Sequence, residues 1–214
     1  MSRILCFALI LGASSVAAAQ ERSLDAALPA GVSVLDVRAP DTETGAVRVR
    51  LSADGVSPGA LLDVWVRPSE ADARALFAAT APQLASRVLV ARTGLGDEAV
   101  SDAGSGRAGL VLLRRGAVLV AVRTVDPQLD AAVLGRALDG AIGAGTIGGP
   151  AASSSPVVQR TAVGVAITPS PAVLDLVVVP SAGTARRTET GWVATGPGTL
   201  VWVDTSLGVH TQAF

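Results

Sequence analysis

Two nearly continuous apolar segments occupy residues 110–122, LVLLRRGAVLVAV, near the middle of the chain. Only Arg114, Arg115 and Gly116 separate them, a connection short enough for a tight hairpin in which glycine supplies a positive φ. Each segment is apolar at consecutive rather than alternate positions, so both faces of the hairpin should be covered by other elements. The pattern predicts the centre of a buried β-sheet.

Further strands are predicted before this hairpin. A β-like run begins at Val32, and apolar and polar residues alternate over residues 47–51 and 62–66. Alternation with a period of two is typical of strands that have one buried face and one solvated face. Residues 88–91 predict one more strand, which is followed by a glycine-rich turn.

Two segments carry helical signals. Ser69 stands three residues before Asp72, as in a capping box, and Asp126 followed by Pro127 is typical of a second helix start. Pro82 should kink or split the first helix. The apolar faces expected for the two helices are Leu76, Phe77, Thr80 and Leu84, and Leu134, Leu138 and Ile142. Together, the strands and helices favour an α+β fold in which two helices pack on an antiparallel sheet.

The chain divides by composition into four parts. Residues 20–142 form the α+β domain, and residues 143–156, GAGTIGGPAASSSP, have the composition of a linker. Short β-like runs separated by Gly and Pro over residues 157–214 predict a small all-β, sandwich-like module. Residues 1–19 are expected to be removed, which leaves a two-domain, β-rich protein.

The amino terminus resembles a secretory signal peptide in each of its parts. Arg3 is positively charged, residues 4–11 are apolar, and Ala17 to Ala19 offer the small residues that signal peptidase accepts. Cleavage would leave Gln20 first. Cys6, the only cysteine, would leave with the signal peptide. We therefore expect a secreted or periplasmic protein without disulfides and without a transmembrane segment after cleavage.

The charge balance excludes some classes of partner. The chain has 214 residues and a formal net charge of −1, and its paired arginines lie near acidic residues without interleaved aromatic side chains. This composition argues against nucleic-acid binding. The pairs are Arg48 with Arg50, Arg114 with Arg115, and Arg186 with Arg187, and all are expected on solvated strand faces and turns.

Catalytic chemistry would depend on His210, the only histidine. It is a candidate general base because its side chain titrates near neutral pH when unperturbed. The candidate nucleophiles are Ser101, Ser105 and Ser206, and the carboxylates that could orient the ring are Asp97, Asp102 and Asp204. No G-x-S-x-G motif surrounds any of these serines. We expect His210 to be an exposed residue of a polar tail, and a small secreted hydrolase using it with a serine is the alternative function.

Two short motifs were considered as metal and nucleotide sites. Asp97 and Glu98 on a glycine-rich loop, with Asp102 nearby, could coordinate a hard cation, but their spacing does not match a calcium loop. The glycines at 143, 145 and 148 match G-x-G-x-x-G, but they follow a predicted helix instead of a strand. We therefore expect neither a metal nor a cofactor.

Four residues of the C-terminal module are candidates for binding a partner: Trp192, Trp202, Arg186 and Arg187. Trp and Arg are enriched at binding hot spots. If the valines flanking Trp202 face the core, its indole lies on the surface near Trp192. In the opposite register both indoles fill the core. The expected function is that of a non-catalytic binding or structural protein of the envelope or extracellular space, with a protein, glycan or cell-surface partner.

Overall fold

The computed structural model describes residues 24–40, 45–84, 88–102, 107–149 and 155–214. The predicted signal peptide and Ser105 lie outside these ranges. A short helix, α1, spans residues 24–27. The elements that follow it are β1 (Ser33–Arg38), β2 (Val47–Ser52), β3 (Ala60–Val66), α2 (Glu70–Gln83), β4 (Leu89–Ala91), β5 (Glu98–Asp102), β6 (Leu110–Arg115), β7 (Val118–Thr124) and α3 (Ala131–Gly143). The C-terminal strands are β8 (Val157–Thr161), β9 (Gly164–Thr168), β10 (Val173–Pro180), β11 (Ala185–Thr188), β12 (Gly191–Ala194), β13 (Gly198–Asp204) and β14 (Val209–Ala213).

The first part of the chain is built on one antiparallel sheet with strand order β1-β2-β3-β7-β6-β5-β4. Its centre contains the predicted hairpin of β6 and β7, in which Arg115 pairs with Val118. Gly116 has a φ of 55° in the two-residue turn, a conformation that glycine adopts without strain. The α+β fold expected from the sequence is confirmed.

A helix covers each face of the sheet. Helix α3 packs on the face that presents Val111 and Leu113, and α2 packs on the face that presents Leu112 and Leu119. All four of these side chains are buried. Burial on both sides accounts for the continuous apolar pattern of β6 and β7 and confirms that both faces are covered.

Of the two helix starts predicted from capping residues, the structure confirms the first. The Ser69 hydroxyl accepts a hydrogen bond from the Asp72 amide at 3.1 Å, which confirms the predicted cap of α2. Pro82 does not split α2, because it is the last residue but one of the helix.

The predicted start of α3 at Asp126 and Pro127 is wrong. The Asp126 carboxylate accepts from the Gln128 amide within a preceding turn, and the helix begins after Asp130. One oxygen of Asp130 accepts from the amides of Ala132 at 2.8 Å and Ala108 at 3.2 Å. Asp130 therefore caps the helix and also ties it to the segment before β6.

Three strands were not expected from the sequence. They are β5, β11 and β14, which were interpreted as a glycine-rich loop, a turn and a polar tail. Each contains few large apolar residues and is fixed by backbone pairing with a neighbour, β5 with β6, β11 with β12, and β14 with β13. Their side-chain pattern alone is too weak to indicate a strand.

The C-terminal part contains two small antiparallel sheets, β10-β13-β14 and β11-β12-β9-β8. Their facing sides enclose one apolar cluster, which confirms a β-rich, sandwich-like C-terminal module. The buried members of the cluster are Ile167, Leu176, Val178, Ala194, Leu200 and Trp202.

This sandwich rests on the first part of the chain. Val203 and Leu207 belong to the same core as the α3 face of the large sheet. The Gly148 amide donates to the Ser206 carbonyl at 2.8 Å, and Ile147 is buried in that core. Residues 144–149 of the predicted linker are therefore turns that are anchored by Ile147 and by the Gly148 amide, and the next five residues lie outside the described part of the chain.

The loop between β2 and β3 contains a strongly acidic carboxyl group. Asp54 accepts hydrogen bonds from the Ser52 hydroxyl at 2.7 Å and from the amides of Ser57 and Val56 at 2.8 Å. These bonds stabilise the charged form and lower the pKa of Asp54 to about 2, below its ordinary value of 3.8. The loop should therefore be stabilised above about pH 4 and lose that contribution as the pH falls towards 2.

We expect Asp54→Asn to reduce the dependence of stability on pH between 4 and 2, because this variant removes the titrating carboxyl group. Urea unfolding of both proteins across that range measures the effect. Equal slopes in the variant and the wild type would show that Asp54 does not link proton binding to folding.

Candidate functional site

The structure separates the four predicted binding residues. Trp202, on the central strand β13, is only 6% exposed, and Trp192, on β12, is half-buried against the same cluster. Both indoles therefore contribute to the interior of the sandwich. Neither expected register describes β13 in full, because Val203 is buried on its other face against the first part of the chain. Arg186 and Arg187 are exposed on the edge strand β11.

Strand pairing distinguishes the two arginines. Arg187 pairs with Trp192, and Trp192 pairs with Ile167 of the buried cluster. Because paired residues of antiparallel strands share a face, Arg187 lies on the inward face of its sheet. Arg186 pairs with Val193 on the outward face. Only Arg187 is therefore placed beside an indole at the opening between the sheets.

A cleft of about 280 Å³ opens at this edge of the sandwich. One wall is formed by residues 173–176 of β10, and the other by the β11–β12 hairpin with Arg187 and Trp192. The turn of this hairpin is Glu189 and Thr190, since Thr188 pairs with Gly191. The cleft thus combines an indole wall with charged and hydroxyl groups.

Gly191 is required where the hairpin meets the next strand. A Cβ atom at this position would lie 2.1 Å from the carbonyl oxygen of Ile167, well inside van der Waals contact. The close approach of β12 to β9 fixes Trp192, the next residue, against the core. One wall of the cleft is therefore held by packing before any ligand binds.

The charges in the cleft are incompletely paired. Asp175 accepts a hydrogen bond from the Ala39 amide at 2.7 Å, which anchors β10 to the end of β1. Within the described part of the chain, Arg187 and Glu189 form no ion pair and are exposed. Their hydrogen-bonding groups remain available to a ligand.

Four polar residues that line the cleft were not among the predicted binding residues: Asp175, Thr188, Glu189 and Thr190. The pattern ARRTETGW, residues 185–192, could have indicated the three that belong to the hairpin. A two-residue turn at Glu189 and Thr190 places Arg187 opposite Trp192, but two-residue hairpin turns usually contain glycine at the turn itself. Here the glycine follows the turn, so the sequence pattern did not predict the β11–β12 hairpin.

His210 is not a frayed tail residue, contrary to expectation. It lies on β14, opposite Trp202, and its ring stacks on the indole with centroids 5.3 Å apart. Its Nε2 atom lies 2.6 Å from Oδ2 of Asp204, whose side chain is 1% exposed. The only histidine of the chain is therefore held between two groups of β13.

The arrangement around His210 differs from a catalytic triad. The Ser206 hydroxyl donates to Oδ1 of Asp204 at 2.7 Å, whereas His210 bonds to the other oxygen. The carboxylate thus lies between the serine and the histidine, and a triad needs the histidine between the serine and the carboxylate. Ser206 has no direct hydrogen bond to its candidate base.

Ser101 and Asp102 lie on β5 of the seven-stranded sheet, about 110 residues before His210 in the sequence. The Ser101 hydroxyl on β5 accepts from Arg92 at 2.5 Å, and Asp102 accepts from the amides of Gly109 and Leu110. These partners give both residues a role in holding strands and loops together.

The two carboxylates of the glycine-rich loop form ion pairs with an arginine. Asp97 and Glu98 contact the Arg114 guanidinium at 3.1 and 2.9 Å. In the described ranges, no group of three or more His, Cys, Asp or Glu residues is placed to hold a metal ion. The expectation that Arg114 lies on a solvated turn is wrong, because its side chain is 1% exposed beneath α2.

The other arginine pair of the large sheet lies on a solvated strand face. Arg48 contacts Asp63 at 2.8 Å, and Arg50 donates to Asp36 at 2.6 Å. The hydrogen bond from Arg50 holds the pKa of Asp36 below its ordinary value. These contacts neutralise part of the positive charge on this face.

The glycine motif lies in turns after α3. Gly143 is the last residue of the helix, and Gly145 and Gly148 have φ values of 75° and 71°. A dinucleotide fingerprint needs a strand before its glycines and a helix after them. Here the glycines end a helix and bring Ile147 into the core.

Comparisons with protein families, curated proteins and solved structures find no match to this chain. In the described residues, no helix has the length and apolar character needed to cross a membrane.

Proposed function

We propose that this protein is an exported, non-catalytic binding protein whose C-terminal sandwich holds its ligand in the Arg187–Trp192 cleft. The observation that carries the proposal is the inward placement of an unpaired guanidinium beside an indole in an open cleft. An aromatic side chain offers a large contact area at a small cost in conformational entropy, and a guanidinium adds directional hydrogen bonds.

The chemistry of the cleft favours a polar ligand. Arg187 supplies donors, Glu189 supplies acceptors, and the threonines of the hairpin can do both. A cleft of about 280 Å³ takes a small group rather than a whole drug-sized molecule. A sugar unit of a cell-surface glycan, which presents hydroxyls around an apolar ring face, fits this combination.

Binding is proposed without catalysis because, among the residues that the structure describes, no serine is hydrogen-bonded to His210. Asp204 separates Ser206 from His210, and the stack on Trp202 confines the imidazole. The polar groups that do line the cleft are suited to hydrogen bonding with a ligand in its ground state.

The mature protein should bind members of a glycan array, and Arg187→Gln should weaken that binding about tenfold or more, as expected for a hot-spot arginine. Trp192→Ala should have a similar effect, although it also removes packing from the sandwich core. Arg187→Gln is the cleaner variant because its side chain is exposed. Surface plasmon resonance with the best glycan measures the affinities.

Arg186→Gln provides the matched comparison. From the sequence alone, Arg186 and Arg187 are equally good candidates for ligand binding. The pairing of β11 with β12 places Arg186 on the outward face of the sheet. Affinity should be retained in Arg186→Gln and lost in Arg187→Gln. The proposal fails if both variants bind as the wild type does, or if the outward arginine is the more important one.

Export with removal of the signal peptide can be tested independently of ligand binding. If residues 17–19 form a signal peptidase site, protein recovered from the periplasm or medium should begin at or within about two residues of Gln20. Amino-terminal sequencing of the recovered protein tests this. Intact Met1 in a membrane fraction would contradict export with cleavage.

A further inference from the structure

β10 has the longest unpaired strand edge in the described sheets, since its eight residues pair with β13 alone. The open edge of a strand exposes N–H and C=O groups that a further strand can bind. Residues 176–179 are Leu-Val-Val-Val and carry no charge. Within the described ranges, their backbone groups form no hydrogen bond beyond β13. This stretch is therefore an apolar, open template for another strand.

The other edge strands have features that discourage pairing between molecules. β4 is three residues long, and β8 and β11 contain arginines. β1 contains Asp36, Arg38 and a register shift, and β14 is mostly polar. Short strands, charged side chains and irregular pairing are common means of protecting a sheet edge. β10 has such features only at its two ends, a register shift between Val173 and Asp175 and a proline at Pro180.

The strand pairing shows which backbone groups of β10 point to the open edge. Gly198 of β13 exchanges hydrogen bonds with the residue that follows β14, so its N–H and C=O point away from β10. Because this direction alternates along a strand, Val201 points to β10, where it pairs with Val177. The two neighbours of Val177, Leu176 and Val178, therefore direct their N–H and C=O groups to the open edge.

We propose that a second copy of this chain pairs with the edge, β10 to β10, in antiparallel orientation about a two-fold axis at Val177. Leu176 of each copy then lies opposite Val178 of the other. These residues exchange both of their backbone hydrogen bonds, which satisfies the groups that point to the edge. The sheet β10-β13-β14 becomes continuous across the two copies, and the interface is isologous.

The sequence of β10 suits pairing with itself in this register. Asp175, its only charged residue, lies opposite Val179 of the other copy, so the two carboxylates do not face each other. An axis one residue earlier or later would set an edge-facing residue opposite the register shift or the proline. Val177 and Val179 are 36% and 46% exposed, and the pairing covers part of their apolar surface.

Sedimentation velocity of the mature full-length protein measures the association. Because small interfaces give weak dimers, the mass should rise from one copy to two between about 1 and 500 µM. Val177→Lys should weaken dimerisation at least about tenfold, because it sets two like charges opposite each other at the axis. Val177 lies on the exposed outer face, so the variant should fold. A wild type that stays monomeric throughout this range would overturn the proposal.

Thr211→Lys is the matched control. Thr211 is exposed on the same outer face and in the same row as Val177, since both residues pair with Val201, but it lies on the opposite edge strand, β14. The added charge is the same, and dimerisation should be retained. Equal losses in Thr211→Lys and Val177→Lys would indicate association through the sheet faces or a net-charge effect, and edge pairing would be wrong.

Amide hydrogen exchange followed by NMR tests the register. In the dimer, the amides of Leu176 and Val178 should exchange at least about tenfold more slowly than in Val177→Lys. The amides at positions 177 and 179, which bond to β13, should be protected in both proteins. Two results would contradict the proposal. Protection of Leu176 and Val178 that is independent of protein concentration would show that the same chain covers the edge, and a dimer in which both exchange freely would use another surface.

Discussion

Replacing Arg114 by methionine should lower the free energy of unfolding by about 3 kcal/mol. The Arg114 side chain is 1% exposed, and its guanidinium contacts Glu98 at 2.9 Å, Asp97 at 3.1 Å and Glu70 at 3.4 Å. It also donates to the Gly116 carbonyl at 3.0 Å. Without the guanidinium, three carboxylates would converge on an apolar side chain and repel one another.

The carboxylates limit the size of this effect. They are partly exposed, so they can recover some hydration when the arginine is removed. We therefore expect a loss at the lower end of the range for a broken buried ion pair. The loss should be concentrated at the first turn of α2, because Glu70 is the contact between that helix and Arg114.

Arg115→Met is the matched control, one residue further along β6. Arg115 contacts Asp139 of α3 at 2.8 Å, but its side chain is 43% exposed. Exposed ion pairs contribute at most about 1 kcal/mol, so this variant should be only slightly destabilised. Urea unfolding followed by tryptophan fluorescence compares the two. Similar losses in both variants would contradict a special role for the buried guanidinium.

A double variant tests the electrostatic cause. Adding Glu98→Gln to Arg114→Met removes one of the repelling charges, so part of the lost stability should return. If the double variant is less stable than Arg114→Met alone, repulsion between the carboxylates is not the source of the loss. Packing around the new methionine would then account for it.

The fold of residues 24–149 could largely be predicted because its strongest signals are local. Continuous apolar runs in β6 and β7 required cover on both faces, and Ser69 marked the start of α2. The start of α3 was placed wrongly because Asp126 and Asp130 are both plausible N-cap residues. The choice between them depends on Ala108, whose amide is brought to Asp130 by the sheet.

The charged residues were the least predictable. Arg114 resembles the end of a solvated turn, because its partners come from positions 16, 17 and 44 residues away in the sequence. The Arg187–Trp192 cleft likewise depends on β11, a strand of mostly polar residues that only its pairing with β12 reveals. Sequence patterns report burial of apolar side chains well, whereas the partners of a buried charge are fixed by tertiary structure.

Asp204→Ala should be the most disruptive change in the C-terminal part, with a loss of about 3 to 5 kcal/mol in the free energy of unfolding. The buried carboxylate accepts from the Ser206 amide and hydroxyl at 2.7 Å each and from the Gly208 amide at 3.1 Å. Its other oxygen contacts His210 at 2.6 Å. Alanine would leave these donors without their acceptor.

The loss should extend to the core that the C-terminal part shares with the large sheet and α3. The loop that Asp204 organises holds Leu207 at a φ of 62°, a left-handed conformation that costs a non-glycine residue about 1 kcal/mol or more. Leu207 is nevertheless buried in the core shared with α3. Without the hydrogen bonds of Asp204, the loop has less to offset this strain, and Leu207 should leave its position.

Two further variants distinguish the contribution of the loop hydrogen bonds from that of the His210 contact. Asp204→Asn keeps an oxygen for the loop donors and should retain much of the stability. His210→Ala removes the ring that stacks on Trp202 but leaves the loop bonds, so it should mainly change the environment of that indole. The measurements are urea unfolding and the fluorescence of Trp202 in a background with Trp65→Phe and Trp192→Phe. If Asp204→Asn and Asp204→Ala are equally destabilised, the contact with His210 outweighs the loop bonds, and the proposed link to Leu207 is wrong.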